Sequence, residues 1–176
     1  MDVSRGRMIF LIGFMGAGKT TLGRHAARRL NIPFTDLDEY IEAQQGCKVQ
    51  DIFAEKGEAA FRALEAAALQ EIHHSSATPG IIATGGGTPC YGDNLLMMKQ
   101  MGRVIYLRQD PAILTGRLRE HKAERPLVAQ VPDAELGAFI RDLITKREAW
   151  YMQADVVLER GSLGLEGLLE QLTGNS

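Results

Sequence analysis

The chain has 176 residues, of which 45% are apolar and 24% are charged, and its formal net charge is −2. These values predict one globular domain over residues 1–176 with a sizeable core. They exclude the overall basic field by which many proteins attract nucleic acid or membranes, and no apolar run approaches the ~20 residues of a transmembrane helix.

The first predicted strand, Met8–Ile12, runs into a glycine-rich loop. Residues 13–20 have the pattern G-x-x-x-x-G-K-T of a P-loop, and helical periodicity follows over Thr20–Leu30. Strand, loop and helix in this order are the context that the motif requires. Backbone N–H groups and the helix N-terminus can hold a triphosphate, the lysine can reach its β- and γ-phosphates, and the threonine hydroxyl can hold Mg²⁺. We therefore expect nucleotide contacts from Gly16, Ala17, Gly18, Lys19, Thr20 and Thr21.

Two acidic residues, Asp36 and Asp38, follow the second predicted strand, Pro33–Thr35. Ligands of open α/β sheets bind at the carboxyl ends of the strands, and residues i and i+2 of an extended segment point to the same side. One carboxylate can then help to hold Mg²⁺, and the other can take the proton of an acceptor hydroxyl. The alternative is a helix N-cap followed by first-turn acids. Because the third strand ends without an acidic residue, Asp36 is the candidate on the metal side.

Short apolar runs continue to alternate with helical patterns along the chain. This alternation, with strands that are apolar throughout, predicts a doubly wound α/β fold with a parallel sheet. The further predicted strands are Ile81–Thr84, Val104–Leu107 and Val156–Leu158. The further predicted helices are Leu37–Gln45, Val49–Glu55, Glu58–His73, Leu95–Met101, Pro111–Glu120, Ala134–Met152 and Leu163–Leu172.

Two irregular segments are candidates for ligand contact. Gly85, Gly86 and Gly87 follow the third strand, where they allow close approach to a ligand or form a flexible turn. Residues 119–131 contain charges and Pro126 but little periodicity, which favours a mobile lid over a solvated loop. Each of the arginines Arg62, Arg125 and Arg147 is, taken singly, typical of a solvated side chain, although guanidinium is also the preferred group for gripping carboxylate or phosphate.

Together these motifs resemble those of the shikimate kinases. The resemblance runs from the P-loop to about residue 151 and preserves the order of the motifs. The matching segments are GFMGAGKT at 13–20, DLD at 36–38, DIF at 51–53, GEAAFRALE at 57–65, TGGG at 84–87, ERPL at 124–127 and REAWY at 147–151. The resemblance implies a P-loop fold of the nucleoside-monophosphate-kinase type with five parallel strands, and the reaction of ATP with shikimate to give ADP and shikimate 3-phosphate.

The same resemblance implies a role for each site residue. Lys19, Asp38 and Arg125 would be catalytic, with Asp38 nearest the transferred proton and Arg125 reaching the phosphates from the lid. Thr20 and Asp36 would lie on the side of the Mg²⁺ ion. Arg117 would contact the nucleotide, with Arg119 as a competitor for that role. The acceptor region, about residues 36–65, and two later segments would bind shikimate through Asp38, Phe53, Phe61, Arg62, Gly85, Gly86, Gly87 and Arg147.

Other functions share parts of these patterns. Gluconate kinases and nucleoside monophosphate kinases have the same architecture, but Arg62 and Arg147 favour a small acceptor with a carboxylate. A GTPase switch is disfavoured because the chain has no N-K-x-D, and a non-catalytic binding protein is disfavoured because the catalytic residue types are retained. Cys47 and Cys90, far apart in sequence, are expected to be reduced thiols. We expect a cytoplasmic monomer that binds ATP and shikimate but neither nucleic acid nor membranes.

Overall fold

Five parallel strands form one sheet in the computed structural model, which describes residues 7–75 and 79–174. The strands are β1 (Met8–Ile12), β2 (Phe34–Asp36), β3 (Ile81–Ala83), β4 (Gly102–Leu107) and β5 (Val156–Leu158), and their order across the sheet is β2-β3-β1-β4-β5. Pairing β1 with both β3 and β4 places the P-loop strand at the centre. The predicted α/β fold with a five-stranded parallel sheet is confirmed.

Helices connect the strands. They are α1 (Lys19–Leu30), α2 (Leu37–Gln45), α3 (Val49–Ser75), α4 (Asn94–Met101), α5 (Pro111–Glu120), α6 (Asp133–Tyr151) and α7 (Leu165–Thr173), with short 3-10 turns at Thr88–Cys90 and Lys122–Glu124. In the described ranges, no helix is both long and apolar enough to pass through a bilayer.

Glycine divides α3 into the two helices that the sequence predicts. Gly57 has φ 80° and ψ 173°, values outside the helical region, so the chain bends between the segments that precede and follow it. A positive φ is accessible to glycine without the steric penalty of a Cβ atom. Because of this bend, side chains from both halves of α3, such as Phe53 and Phe61, lie along the same cleft.

The start of α2 differs from the extended geometry expected for Asp36 and Asp38. Asp36 is the N-cap of α2, and its side chain accepts hydrogen bonds from the N–H groups of Asp38 (3.0 Å) and Glu39 (3.3 Å). Asp38 therefore lies in the first helical turn, not in a strand. The extended geometry is thus right for Asp36 and wrong for Asp38, and the alternative of an N-cap followed by first-turn acids is confirmed. The capping bonds satisfy N–H groups that a helix start otherwise leaves without partners.

The sheet has a hydrophobic cluster on each face. Along β1 the side chains alternate, so that Leu11 joins one cluster and Phe10 and Ile12 join the other, and all three are fully buried. Alternate residues of a strand point to opposite faces, and a strand buried on both faces is apolar at every position. The first cluster includes residues of α1, α5 and α7, and the second includes residues of α2, α3 and α4.

The predicted lid is partly built into the fold. Arg119 and Glu120 belong to α5, so the irregular segment begins at His121 and not at residue 119. Val128 is fully buried in the same cluster as Leu11, and its N–H donates to the carbonyl of Arg125 at 3.0 Å. The segment is therefore fixed to the core close to its centre.

Candidate active site

An open cleft of about 1100 Å³ lies at the carboxyl ends of β1, β2 and β3, between the P-loop, α3 and the segment after α5. This is the position at which open parallel sheets bind their ligands. All of the site residues predicted from the sequence line this one cleft: Gly16, Ala17, Gly18, Lys19, Thr20, Thr21, Asp36, Asp38, Phe53, Phe61, Arg62, Gly85, Gly86, Gly87, Arg117, Arg125 and Arg147.

Lys19 lies in the floor of the cleft and folds back over its own loop. Its ammonium donates to the carbonyl oxygens of Gly13 (2.7 Å) and Phe14 (2.9 Å), and the side chain is 8% exposed. Burial lowers the pKa of Lys19 to about 8, and the nearby Asp38 carboxylate partly opposes this shift. The loop thus positions a buried cation where phosphate oxygens of a nucleotide can contact it.

Thr20 and Asp36 form a direct pair beside the P-loop. The Thr20 hydroxyl donates to Asp36 Oδ2 at 2.6 Å, while Asp36 Oδ1 caps α2. Hydroxyl and carboxylate oxygens are ligands that Mg²⁺ accepts, and this ion is commonly held by one or two carboxylates together with water and substrate phosphates. In the described part of the chain no three His, Cys, Asp or Glu side chains form a metal-binding group, so a metal here depends on such additional oxygens.

Asp38 lines the cleft, and one of its oxygens, Oδ1, is buried and has no hydrogen-bond partner among the described residues. Burial raises the pKa of Asp38 to about 6, and the carboxylates of Asp36 and Glu65 add to the shift, against the opposing effect of Lys19 and Arg125. A carboxylate with an uncommitted oxygen and a pKa close to neutrality has the properties of a general base.

Arg62 is held from two sides by carboxylates on its own helix. Nη1 pairs with Glu65 at 2.7 Å and Nη2 pairs with Glu58 at 3.0 Å, while Nε is buried without a partner in the described chain. Arg62 is 7% exposed and Glu65 is completely buried. A buried charge without a partner is energetically costly, so Arg62 and Glu65 depend on each other. The two ion pairs of Arg62 hold its guanidinium in one orientation.

Arg147 reaches the same part of the cleft from α6. It is 6% exposed, its guanidinium lies 5.7 Å from the ring centroid of Phe14, and its Nη1 is buried without a hydrogen-bond partner among the described residues. A buried guanidinium of this kind is suited to an anionic ligand.

The three glycines of the 85–87 loop give space to the surrounding charged groups. None of them has a positive φ, so their role is not to permit a left-handed turn. A Cβ atom at Gly85 would lie 2.8 Å from Glu65 Oε1, one at Gly86 would lie 3.4 Å from Arg147 Nη1, and one at Gly87 would overlap the Arg62 guanidinium. The three glycines therefore allow side chains of the protein itself, namely Glu65, Arg147 and Arg62, to approach the backbone of the loop closely.

The arginines near the lid are separated by the structure. Arg117 lines the cleft and donates to the carbonyl of Gly16 in the P-loop at 2.8 Å, whereas Arg119 is not among the lining residues. Arg125 is exposed and lines the cleft, and its charge is close enough to lower the pKa values of Lys19 and Asp38. Of Arg117 and Arg119, the two candidates for contact with the nucleotide, Arg117 is the one that lies at the cleft.

Apolar side chains form a wall of the cleft on α3. The rings of Phe53 and Phe61 are 4.8 Å apart at an interplanar angle of 43°, and Phe61 is almost completely buried. The two residues lie on either side of the bend at Gly57. A small acceptor can therefore meet an apolar surface and the two arginines in the same cavity.

Sequence reasoning missed the support for these residues. Glu65 lies three residues after Arg62 in the segment GEAAFRALE at 57–65, but no role was predicted for it. In the structure it pairs with Arg62 and accepts a hydrogen bond from the Thr88 hydroxyl. Gln109, Leu163 and Gly164 also line the cleft. Their positions after β4 and β5, at the carboxyl ends of strands, are the feature that could have identified them.

Comparisons with known proteins point to one family. The family model for shikimate kinase matches residues 15–172. The shikimate kinase of Bacteroides fragilis is 46% identical over 149 residues, which are 85% of this chain and 82% of the relative. That of Bordetella pertussis is 43% identical over 165 residues, which are 93% of this chain and 75% of the relative.

Solved structures give the same result. The crystal structure of shikimate kinase from Bacteroides thetaiotaomicron has a TM-score of 0.80 at 39% identity and covers 94% of this chain and 95% of its own. A shikimate kinase from Acinetobacter baumannii in complex with shikimate has a TM-score of 0.83 at 36% identity, with 95% of this chain and 90% of that one covered.

Proposed function

Because this chain belongs to the shikimate kinase family, we propose that the cleft described above is where it transfers the γ-phosphate of ATP to the 3-hydroxyl of shikimate. The enzyme is an ATP-dependent kinase that phosphorylates shikimate in the pathway to aromatic amino acids. The residue roles given below are proposals about how this chain performs that reaction.

One observation carries the placement of the acceptor. The buried Arg147 guanidinium lines a P-loop cleft and has a hydrogen-bonding group without a protein partner in the described chain. We assign the shikimate carboxylate to Arg147 and Arg62, since Arg62 keeps a free Nε beside its two ion pairs. The rings of Phe53 and Phe61 support the apolar face of the acceptor, and the 85–87 loop closes the remaining side.

Phosphate binding is assigned to the P-loop side of the cleft. Residues 16–21 surround the β- and γ-phosphates with N–H groups and the N-terminus of α1, and Lys19 neutralises charge that develops during transfer. Arg117 and Arg125 add cationic charge from α5 and the lid. Phosphoryl transfer depends mainly on such positioning and charge stabilisation.

The base is assigned to Asp38. Its free oxygen can accept a hydrogen bond from the acceptor hydroxyl and then its proton, while Lys19 holds the transferring group on the other side. Thr20 and Asp36 are assigned to Mg²⁺, for which their oxygen atoms are suitable ligands. A metal held there would supply positive charge that neutralises the phosphates.

The acceptor class can be tested by ADP release with four candidate acceptors, namely shikimate, gluconate, AMP and CMP. Shikimate should support turnover and the other three should not. The finer placement can be tested with Arg147→Ala, which should weaken shikimate binding by ~1.5–3 kcal/mol, the scale of a hydrogen bond to a charged group, and leave ATP binding unchanged.

The matched control for that variant is Arg141→Ala, because Arg141 is an exposed residue of the same helix. A shikimate analogue with an amide in place of the carboxylate should be a poor acceptor for the parent and for the control. For Arg147→Ala the advantage of the acid over the amide should shrink, which is a coupling that general destabilisation does not produce. An undiminished advantage would remove Arg147 from the carboxylate site.

The lid assignment also makes a measurable claim. We expect residues 121–127 to exchange amide hydrogens more slowly when an ATP analogue is bound, because Arg125 is then drawn to the phosphates and water is excluded. Hydrogen exchange with and without the analogue measures this, with peptides from α7 as an internal reference. Equal protection in both states would argue against a nucleotide-dependent lid.

We further propose that the enzyme works as a cytoplasmic monomer without nucleic-acid or membrane partners. The cysteines Cys47 and Cys90 are unpaired, which is compatible with a reducing compartment. The net charge of −2 supplies no overall attraction for polyanions. Light scattering after size exclusion would test the oligomeric state.

A further inference from the structure

Tyr151, the last residue of α6, ends the segment REAWY at 147–151 but has no role in the reaction proposed above. Its side chain is completely buried, and its hydroxyl donates a hydrogen bond to the carbonyl oxygen of Gly86 at 2.5 Å. The bond joins the end of a helix to a loop that lies 65 residues earlier in the chain. Tyr151 is outside the set of residues that line the cleft, whereas Gly86 is inside it.

This hydrogen bond fixes a complete peptide unit. The carbonyl of Gly86 and the N–H of Gly87 belong to the same planar trans peptide, and no described peptide bond is cis. In a trans peptide the C=O and N–H bonds point in opposite directions. Holding the carbonyl towards Tyr151 therefore also sets the direction of the Gly87 N–H at the lining of the cleft.

The helix that provides this tether also provides Arg147. Residues four apart on a helix lie on the same face, so Arg147 and Tyr151 approach the loop together. Arg147 Nη1 lies 3.4 Å from the point that a Cβ atom of Gly86 would occupy, and Met15 N of the P-loop lies 3.1 Å from the same point. Gly86 is thus enclosed between α6 and the nucleotide loop.

We propose that Tyr151 is a positioning residue for the acceptor: its hydroxyl fixes the Gly86–Gly87 peptide relative to the Arg147 guanidinium, so that both groups meet shikimate in one arrangement. The inference rests on the proposed placement of the acceptor. Tyr151 touches neither nucleotide nor acceptor in this arrangement and acts through the loop.

The chemistry of the hydroxyl suits this role. Burial raises the pKa of Tyr151, so the group remains protonated and serves as a donor throughout the working range of pH. The ring packs against Tyr106, with ring centroids 4.9 Å apart. The hydroxyl of Tyr106 donates elsewhere, to Glu148 at 3.3 Å, and Tyr106 does not line the cleft.

These neighbouring tyrosines allow a matched experiment with Tyr151→Phe and Tyr106→Phe. Each variant keeps its ring and loses one hydroxyl. We expect Tyr151→Phe to raise the KM for shikimate by ~3–10-fold, the effect of one hydrogen bond, with little change in the KM for ATP. Hydrogen exchange at residues 85–88 should become faster in Tyr151→Phe and remain at the parent rate in Tyr106→Phe.

Two outcomes overturn the inference while leaving the placement of the acceptor intact. One is a parent-like shikimate KM in Tyr151→Phe together with parent-like exchange at residues 85–88. The other is an equal change in both variants of shikimate KM, ATP KM and melting temperature, which identifies a loss of packing only. If the parent protein releases no ADP with shikimate, the placement of the acceptor fails first and the inference fails with it.

Discussion

Asp38 is the residue at which stability and catalysis oppose each other most directly. Its carboxylate lies among buried groups, next to two other carboxylates, and one oxygen has no partner in the described chain. In the unfolded chain the same group is solvated by water. The ionised form is therefore less favourable in the folded protein, although the proposed chemistry requires it.

We predict that Asp38→Asn nearly abolishes turnover and raises stability. Removing the base should lower kcat by ~10²–10⁴-fold, whereas ATP binding should persist. The raised pKa corresponds to an upper limit of about 3 kcal/mol of unfavourable charge burial, which the neutral amide avoids. Steady-state assays and urea unfolding at pH 7.5 measure the two effects. Turnover close to that of the parent would exclude Asp38 as the base.

The pH dependence of kcat/KM should be bell-shaped. On the acid side, activity should fall as pH drops below about 6, where Asp38 becomes protonated, and on the alkaline side it should fall above about 8, where Lys19 loses its proton. A rate profile from pH 5 to 9.5 tests this, and the absence of an acid limb near 6 would contradict it.

The same shift in Asp38 makes a separate statement about stability. Because the folded pKa lies above the unfolded value of 3.8, protonated Asp38 favours folding at low pH. That contribution is complete below about pH 4 and is lost as pH rises through about 6. In Asp38→Asn the contribution is absent from the pH dependence of unfolding.

At the scale of elements, the 85–87 loop depends on the absence of side chains. Gly87→Ala should weaken shikimate binding by ~10–100-fold, since overpacking of this kind typically costs about 1–3 kcal/mol and here displaces the Arg62 guanidinium. Gly116→Ala is the matched control, because a Cβ atom at this helical position meets nothing within 4 Å. Calorimetric titration with shikimate compares the two variants, and equal affinities would show that Arg62 adapts freely.

The secondary structure could be predicted closely from sequence. Every predicted strand and helix exists with bounds within two residues, because buried parallel strands are apolar throughout and the connecting helices have a clear period. Turn chemistry was harder to foresee. Asp36 caps α2, which confirms the alternative interpretation of the sequence, and its second oxygen accepts a hydrogen bond from Thr20 that the sequence did not predict.

What could not be predicted depends on contacts between distant parts of the chain. The Glu65 carboxylate joins Arg62 to Thr88, and Tyr151 reaches Gly86, although neither pair of segments is close in sequence. Periodicity indicates which face of an element is buried, but not which side chain of another element it meets. Val128 shows the same limit, since an apolar residue in an irregular segment does not reveal that it joins the core.

At the scale of the whole molecule, the two clusters on opposite faces of the sheet share the central strand β1. We predict that Ile12→Val and Ile105→Val, one in each cluster, each destabilise the protein by about 0.5–1.5 kcal/mol and shift the same unfolding transition. Circular dichroism and tryptophan fluorescence in urea should give coincident curves. Two separate transitions would contradict the single domain expected from the length of the chain.

The control for this pair is Ile113→Val, because Ile113 is 47% exposed and surface changes usually remain within about 0.5 kcal/mol of the parent. A control as unstable as the two core variants would mean that the observed losses do not arise from the clusters.

The burial of Val128 limits how far the segment after α5 can travel. Arg125 lies three residues before this fixed point, and three extended residues span about 10 Å. While Val128 remains in the core, the guanidinium is confined to a small volume beside the P-loop. Within such a volume its effective concentration near the phosphates is high, as for two groups joined by a short linker. The cation that we propose for phosphoryl transfer therefore stays near the P-loop, and the release of nucleotide would require only a short movement of the residues before Val128.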